Sequence, residues 1–189
     1  RVEQALSRRT AVQDGLVAVL ILDLDDFKTV NDSFGHEAGD KLLVEVARRL
    51  QSTLRTSDTA ARLGGDEFAL LVEVMSHPED TAKVAERVIE SLREPFEVSG
   101  RQLSVHASVG IAITGLGDEA TDQLLRNADV AMYTAKGQGR RQYAVFDPNL
   151  DATGRRVNVD GHVVRVGMLR GVGHALSDHG GRHVEHGPG

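Results

Sequence analysis

The 189-residue chain has a net charge of −6, 40% hydrophobic and 26% charged residues, and no tryptophan. These are ordinary values for one globular domain with a core deep enough to fold unaided, and they leave no room for two full domains. The acidic balance and sparse aromatics exclude a general nucleic-acid binder, which is usually basic, though not a nucleotide site built around a metal; the absence of cysteine excludes a disulfide framework and a thiolate site and fits a reducing compartment.

Residues Arg1 to Gly15 read as the end of a helix, with Val2, Ala5 and Leu6 on one side. Leu16 to Leu22 is continuously apolar rather than alternating, the pattern of a central strand covered on both faces. This run is too short to span a bilayer, and no signal peptide is visible. After Asp25-Asp26-Phe27-Lys28 comes a short helical turn through Val30, Asn31 and Phe34, stopped by Gly35. A longer helix is predicted from Asp40, a fair N-cap, with Leu42, Leu43, Val46, Ala47, Leu50 and Leu54 inward. Thr59 to Leu63 and Phe68 to Val72 are two hairpin strands joined by a tight turn at Gly64-Gly65.

Pro78 opens the next helix, which buries Ala82, Ala85, Val88, Ile89 and Leu92 and stops before Pro95. Phe96-Glu97-Val98 and Leu103 to Ile113 form a second hairpin around Ser99-Gly100. A last helix runs from about Thr121 to Lys136, ended by Gly137 and Gly139, and Tyr143 to Phe146 is a final strand. The order β-α-β-β-α-β-α-β suits an α+β fold, an antiparallel-rich sheet with helices on one face. Beyond Asp147 the composition turns to Gly and His and periodicity fades, so residues 148–189 read as a loosely ordered tail; His174, His179, His183 and His186 show no recognised ligand spacing.

Two acidic strand ends stand out. Leu22-Asp23-Leu24-Asp25-Asp26 closes the central strand, and Asp66-Glu67 leave the hairpin turn in succession, one toward the surface above it and the other to the flank. If the central strand and the hairpin are neighbours, Asp23 and Asp66 converge at one edge with the carbonyl of Leu24 beside them. Mg²⁺ prefers such hard oxygens and completes its shell with substrate phosphates. Two such ions support in-line phosphoryl transfer.

The sequence resembles the GGDEF domain, the catalytic domain of diguanylate cyclases, over residues 1–147. The resemblance is carried by Leu22-Asp23-Leu24-Asp25-Asp26-Phe27-Lys28 with Asn31-Asp32 and Phe34-Gly35-His36, then Gly39-Asp40, Arg62 to Phe68, and Ala131-Met132-Tyr133 with Lys136 and Arg140. It implies a central sheet flanked by helices, similar to the nucleotidyl cyclase and polymerase palm. It also implies condensation of two GTP molecules into cyclic di-GMP and two pyrophosphates, one GTP held by each subunit of a head-to-tail homodimer.

By the same resemblance, Asp23, Leu24 through its carbonyl, and Asp66 bind two Mg²⁺ ions per site, for which Mn²⁺ can substitute. Glu67 is either a further ligand or helps deprotonate the 3′-hydroxyl. Asn31 and Asp40 read the guanine edge. Backbone N–H groups near Asp26 and Phe27, with Lys28, Lys136 and Arg140, hold the β- and γ-phosphates. Phe27 and Phe34 are read as packing side chains. Arg55 and Asp58, nine and six residues before Gly64, stand where the family has its inhibitory product site, with Arg87 as its secondary arginine.

The family usually begins with an Asp-x-Leu-Thr-x-Leu-x-Asn-Arg turn, which does not precede Arg1, so the domain reads as lacking its N-terminal turn. Residues 148–189 show no Glu-x-Leu motif of the phosphodiesterase domain that often follows. The implied setting is cytoplasmic, tethered to a sensor or membrane domain in a longer parent. A non-catalytic receptor for GTP or cyclic di-GMP is the alternative; intact acids count against it.

Overall fold

The structure, a computed structural model, describes residues 16–75, 77, 79–114 and 121–147. The expected helix in residues 1–15, the role of Pro78 and the tail from 148 lie outside the described residues. Among the described residues eleven elements follow one another: β1 (Leu16–Asp25), α1 (Phe27–Phe34), α2 (His36–Thr53), β2 (Thr59–Gly64), β3 (Glu67–Met75), α3 (Glu79–Arg93), β4 (Phe96–Val98), β5 (Arg101–Leu103), β6 (His106–Ile113), α4 (Thr121–Gly137) and β7 (Tyr143–Val145).

The apolar run of β1 sits at the middle of a five-stranded sheet ordered β2-β3-β1-β6-β7. It pairs antiparallel with β3 and β6, and only the β6–β7 pair is parallel. Alternate residues leave β1 on opposite faces. Ala18, Leu20, Leu22 and Leu24 join the main core beneath α1, α2 and α3, while Val17, Val19 and Ile21 pack with Leu124, Ala128 and Met132 of α4. Helices therefore cover both faces rather than one. A strand with no polar alternation requires this, because either bare face would leave several large aliphatic side chains in water.

Three local expectations shift. The second helix begins at His36, not Asp40: Gly35, at φ 84°, ends α1 and leads straight into α2. Asp40 lies on the second turn of α2 and caps nothing. The hairpin turn is Gly65-Asp66, not Gly64-Gly65, because Gly64 still pairs with Glu67 and the positive φ, 52°, falls on Gly65. The strand expected from Leu103 to Ile113 is divided. Residues 101–103 pair with β4 in a separate two-stranded sheet, and β6 starts at His106 beside β1.

That small hairpin closes one end of the main core through Phe96, Val98 and Leu103. Arg49 of α2 secures its entry. The guanidinium donates to the carbonyls of Ser91, Glu94 and Pro95 at the end of α3 and lies 3.6 Å from the centre of the Phe96 ring. Carbonyls orphaned at a helix C-terminus are thereby satisfied by a cation, which the helix dipole favours.

On the opposite face α4 presses directly on β6. A Cβ on Gly110 would run into the Ala128 carbonyl oxygen and the Met132 backbone of α4, atoms that cannot turn aside as a side chain could. Gly110→Ala is expected to lower stability by ~3 kcal/mol, the upper end of ordinary overpacking costs. Gly137→Ala, with open space around it, should leave the melting temperature unchanged or raise it. Thermal unfolding of the two variants checks the contrast, and an unchanged Gly110→Ala melting temperature would mean that α4 does not press on β6.

Candidate active site

The edge of the sheet where β1 ends and the β2–β3 turn begins gathers the acids. Asp23 stands opposite Glu67 in the antiparallel register, which puts both side chains on the α4 face of the sheet. The amide of Leu24 donates to the carbonyl of Asp66 at 3.3 Å, tying the turn to the strand end. Arg62 braces the turn from its other side, its Nε and Nη2 donating to the Gly65 carbonyl at 2.9 and 2.7 Å. Asp66 and Glu67 are half-buried, whereas Asp23 is 8% exposed.

Burial pushes the Asp23 carboxyl above its ordinary value; a hydrogen bond from Lys136 opposes the shift, and the charges of Asp66 and Asp25 add to it. Lys136 Nζ, from the last turn of α4, lies 2.8 Å from Asp23 Oδ1. Arg140, just beyond that helix, makes the corresponding contact to Asp26 Oδ1 at 2.6 Å. The two pairs differ in weight. Arg140 and Asp26 are 51% and 62% exposed, a setting in which an ion pair contributes about 0–1 kcal/mol and is readily exchanged for another anion. The Lys136–Asp23 pair, at 31% and 11%, is held more firmly.

Asp25, buried at 7%, had no role in the sequence reading. It accepts from Ser108 Oγ at 2.8 Å and from the backbone amide of Arg141 at 3.1 Å. The alternation of Leu22-Asp23-Leu24-Asp25 already places it on the face of Asp23, and Ser108 is a lone hydroxyl in an apolar strand. Those were the available signals.

Phe27 is buried in the core as expected, but Phe34 is 42% exposed and carries the Arg101 guanidinium 5.6 Å from its ring centre. Phe34 is therefore not a core packing residue; it ends the eight-residue α1 one turn beyond the buried Val30. Lys28 and Asp26 are exposed at the start of α1. Asn31 and Asp40 flank the contact between α1 and α2, where Gly39 lies directly under the Asn31 amide and a Cβ would strike it. Asn31 is thus half-buried with its amide fixed against α2, beside an exposed Asp40.

The turn from Arg55 to Asp58 is self-organised. Asp58 Oδ2 accepts from the Arg55 amide at 3.0 Å, and Oδ1 accepts from the Glu73 amide of β3 at 3.4 Å. Arg87 of α3 donates to the Thr53 carbonyl at 3.1 Å, which brings it to the same surface as the exposed Arg55.

Among the described residues, no three His, Cys, Asp or Glu side chains converge as they would around an ion. The donor set nonetheless fits a hard cation. Asp23 and Asp66 are close enough for each charge to oppose the other, and an oxygen-seeking dication relieves that opposition.

Residues 1–142 match the family described as "Diguanylate cyclase, GGDEF domain". The chain belongs to the GGDEF family. It is 44% identical over 152 residues to the bifunctional diguanylate cyclase/cyclic di-GMP phosphodiesterase MucR of Pseudomonas aeruginosa, covering 80% of this chain and 22% of that one. The GGDEF domain of PA1120 (YfiN or TpbB) from the same organism superposes with a TM-score of 0.75 at 39% identity, covering 79% of this chain and 92% of that one. The GGDEF domain of DgcB from Caulobacter crescentus in complex with c-di-GMP gives 0.68 at 25% identity, covering 77% and 84%. The chain spans about a fifth of the length of the curated relatives it matches. Among the described residues of this GGDEF domain, no helix is long and apolar enough to cross a membrane.

The raised Asp23 value makes a signed prediction. The folded state holds the proton to higher pH than the unfolded chain, so the ionised carboxylate costs stability, and that cost sets in as pH rises through the folded value. Lys136 is exposed enough to turn into water when its partner is removed. Asp23→Asn should therefore raise the melting temperature near pH 7, with the gain shrinking as pH falls toward the ordinary carboxylate value of 3.8. A loss of stability at pH 7 would mean that the Lys136 bond outweighs burial.

Proposed function

We propose that this chain is a diguanylate cyclase domain that condenses two GTP molecules into cyclic di-GMP and two pyrophosphates, one GTP being held by each of two copies facing head to tail. The observation that carries the reading is the pairing of Asp23 and Asp66 at one sheet edge with Lys136 and Arg140 already seated on Asp23 and Asp26. Acids for metal and cations for phosphate thus meet in one place.

Asp23, Asp66 and the Leu24 carbonyl would hold two Mg²⁺ ions, with Mn²⁺ able to substitute. Glu67, opposite Asp23, serves as a further ligand or takes the proton of the 3′-hydroxyl. When bound, the ions lower the pKa of that hydroxyl and stabilise the leaving oxygen. The chain's own work is orientation. Asn31 and Asp40 accept and donate along the guanine edge; a carboxylate at 40 disfavours adenine, which presents an acceptor there, so ATP is at most a minor substrate. Backbone N–H groups near Asp26 and Phe27, with Lys28, Lys136 and Arg140, take the β- and γ-phosphates. Lys136 and Arg140 change partner from carboxylate to phosphate as the triphosphate arrives, and the weak Arg140–Asp26 pair yields first.

Arg55, Asp58 and Arg87 would form the product-inhibition site. Since both Asp58 oxygens accept backbone amides, Arg55 supplies most of the attraction for a phosphate there, and Asp58 sets the turn that presents it.

A second reading, a receptor that binds GTP or cyclic di-GMP without turnover, draws support from the Lys136–Asp23 bond, which a domain with no metal to bind would keep. Incubation with GTP and Mg²⁺ at high protein concentration, products resolved by chromatography and mass, separates the two. Cyclic di-GMP that accumulates and then slows its own formation is expected, with none from Asp66→Ala. Asp40→Ala should raise the KM for GTP ~10-fold or more, the worth of a charge-assisted hydrogen bond, and narrow the preference over ATP. Nucleotide binding with no product, even with Mn²⁺ and an added dimerising segment, would favour the receptor.

A further inference from the structure

We propose that Asp25 is a positioning residue for triphosphate binding: it anchors the connection after α4 to the end of β1 and so holds Lys136 and Arg140 over Asp23 and Asp26. The inference rests on the GTP-binding reading above and goes beyond it in assigning this role to a residue that touches neither substrate nor ion.

The connection is short and strained. Arg140 and Arg141 both adopt left-handed backbone, at φ 61° and 55°, as does Asp26 at 59° across from them. Non-glycine residues rarely do so, and such outliers persist only where their surroundings over-determine them. The Arg140 and Arg141 amides take separate acceptors. The Arg141 amide donates to Asp25 Oδ2 at 3.1 Å, while Ser108 Oγ donates to Oδ1 at 2.8 Å and fixes the carboxylate from β6. The Arg140 amide closes back on the Ala135 carbonyl at 3.2 Å, so the path from the last turn of α4 to Asp25 has no slack. Gly110 and Ser108 share the α4 face of β6, where α4 packs without space for a methyl group. Helix and connection are thereby referenced to the same two strands.

Each acid of the strand end takes a different group: Asp23 the Lys136 ammonium, Asp26 the Arg140 guanidinium, and Asp25 the backbone between α4 and β7. The first two bonds are to be exchanged for phosphate, so they cannot hold the connection while substrate is bound. The buried bond to Asp25 can. Asparagine at 25 retains an oxygen for the Arg141 amide, and the Ser108 hydroxyl can turn to accept from its amide group; alanine offers neither.

The test compares wild type with Asp25→Ala, Asp25→Asn and Ser108→Ala by thermal melting, amide hydrogen exchange without nucleotide, and steady-state kinetics with Mg²⁺ and GTP. Expected are faster exchange at Arg141 in Asp25→Ala, a KM for GTP raised ~10-fold with kcat changed much less, the mark of lost binding common to ground and transition states, and recovery of both in Asp25→Asn. Ser108→Ala should fall between. If Asp25→Ala fails to fold, Asp25→Asn and Ser108→Ala carry the comparison. A lowered melting temperature with unchanged KM, or unchanged exchange at Arg141, would overturn the proposal. Wild-type protein that neither binds nor converts GTP would instead overturn the functional reading; the exchange data, taken without nucleotide, then decide the anchoring by Asp25 on their own.

Discussion

Everything at the functional edge depends on one electrostatic constraint: the end of β1 and the residue after it carry three acids, Asp23, Asp25 and Asp26, out of the core in four residues, and the first two are nearly buried. Carboxylates in that setting require compensation. All of it that the described residues show for these three comes from α4, the connection after it and Ser108 of β6. The sheet is built to allow this. Because β1 is central and apolar on both faces, α4 can lie across it and deliver its C-terminal cation to the strand end, and Gly110 lets the helix approach closely enough.

The same arrangement sets a tension between stability and chemistry. An acid whose proton is held by burial is a cost to the folded chain, lowered by a lysine but not removed. On the proposed function, the site would receive divalent cations and shed pyrophosphate; it could not then neutralise its acids permanently and would be served by partners that leave. The exposed Arg140–Asp26 pair is suited to leaving, and the deeper Lys136–Asp23 pair less so. What must not leave is the backbone, and Asp25 is the acid spent on it.

Much of this was legible in the residues. The unbroken run from Leu16 to Leu22 identified the central strand, and Asp23 and Asp66 were expected at one edge if that strand and the hairpin were neighbours, as they are. The hairpin turn slipped by one residue because a Gly-Gly pair permits either placement, and only the pairing of Gly64 with Glu67 decides it. Asp40 looked like a cap because His36 to Gly39 does not advertise a helix; Gly39 is tolerated there since Asn31 needs the space. That α4 takes the face opposite the other helices could not be read from its own periodicity, which tells which residues point inward and not toward which side. Phe34 was misjudged and Asp25 was given no role for a related reason: an aromatic was presumed to pack and nothing local marks an acid as buried, while contacts distant in sequence decide both.

The most direct test of the account is to count the metal ions that the edge acquires with substrate. Titration of the chain with Mn²⁺ in the presence of a GTP analogue that cannot react, followed by magnetic resonance, should show two ions bound per chain, with binding lost in Asp23→Asn and much weaker when the nucleotide is omitted. Nucleotide binding of equal strength with and without Mn²⁺, and unchanged in Asp23→Asn, would contradict it.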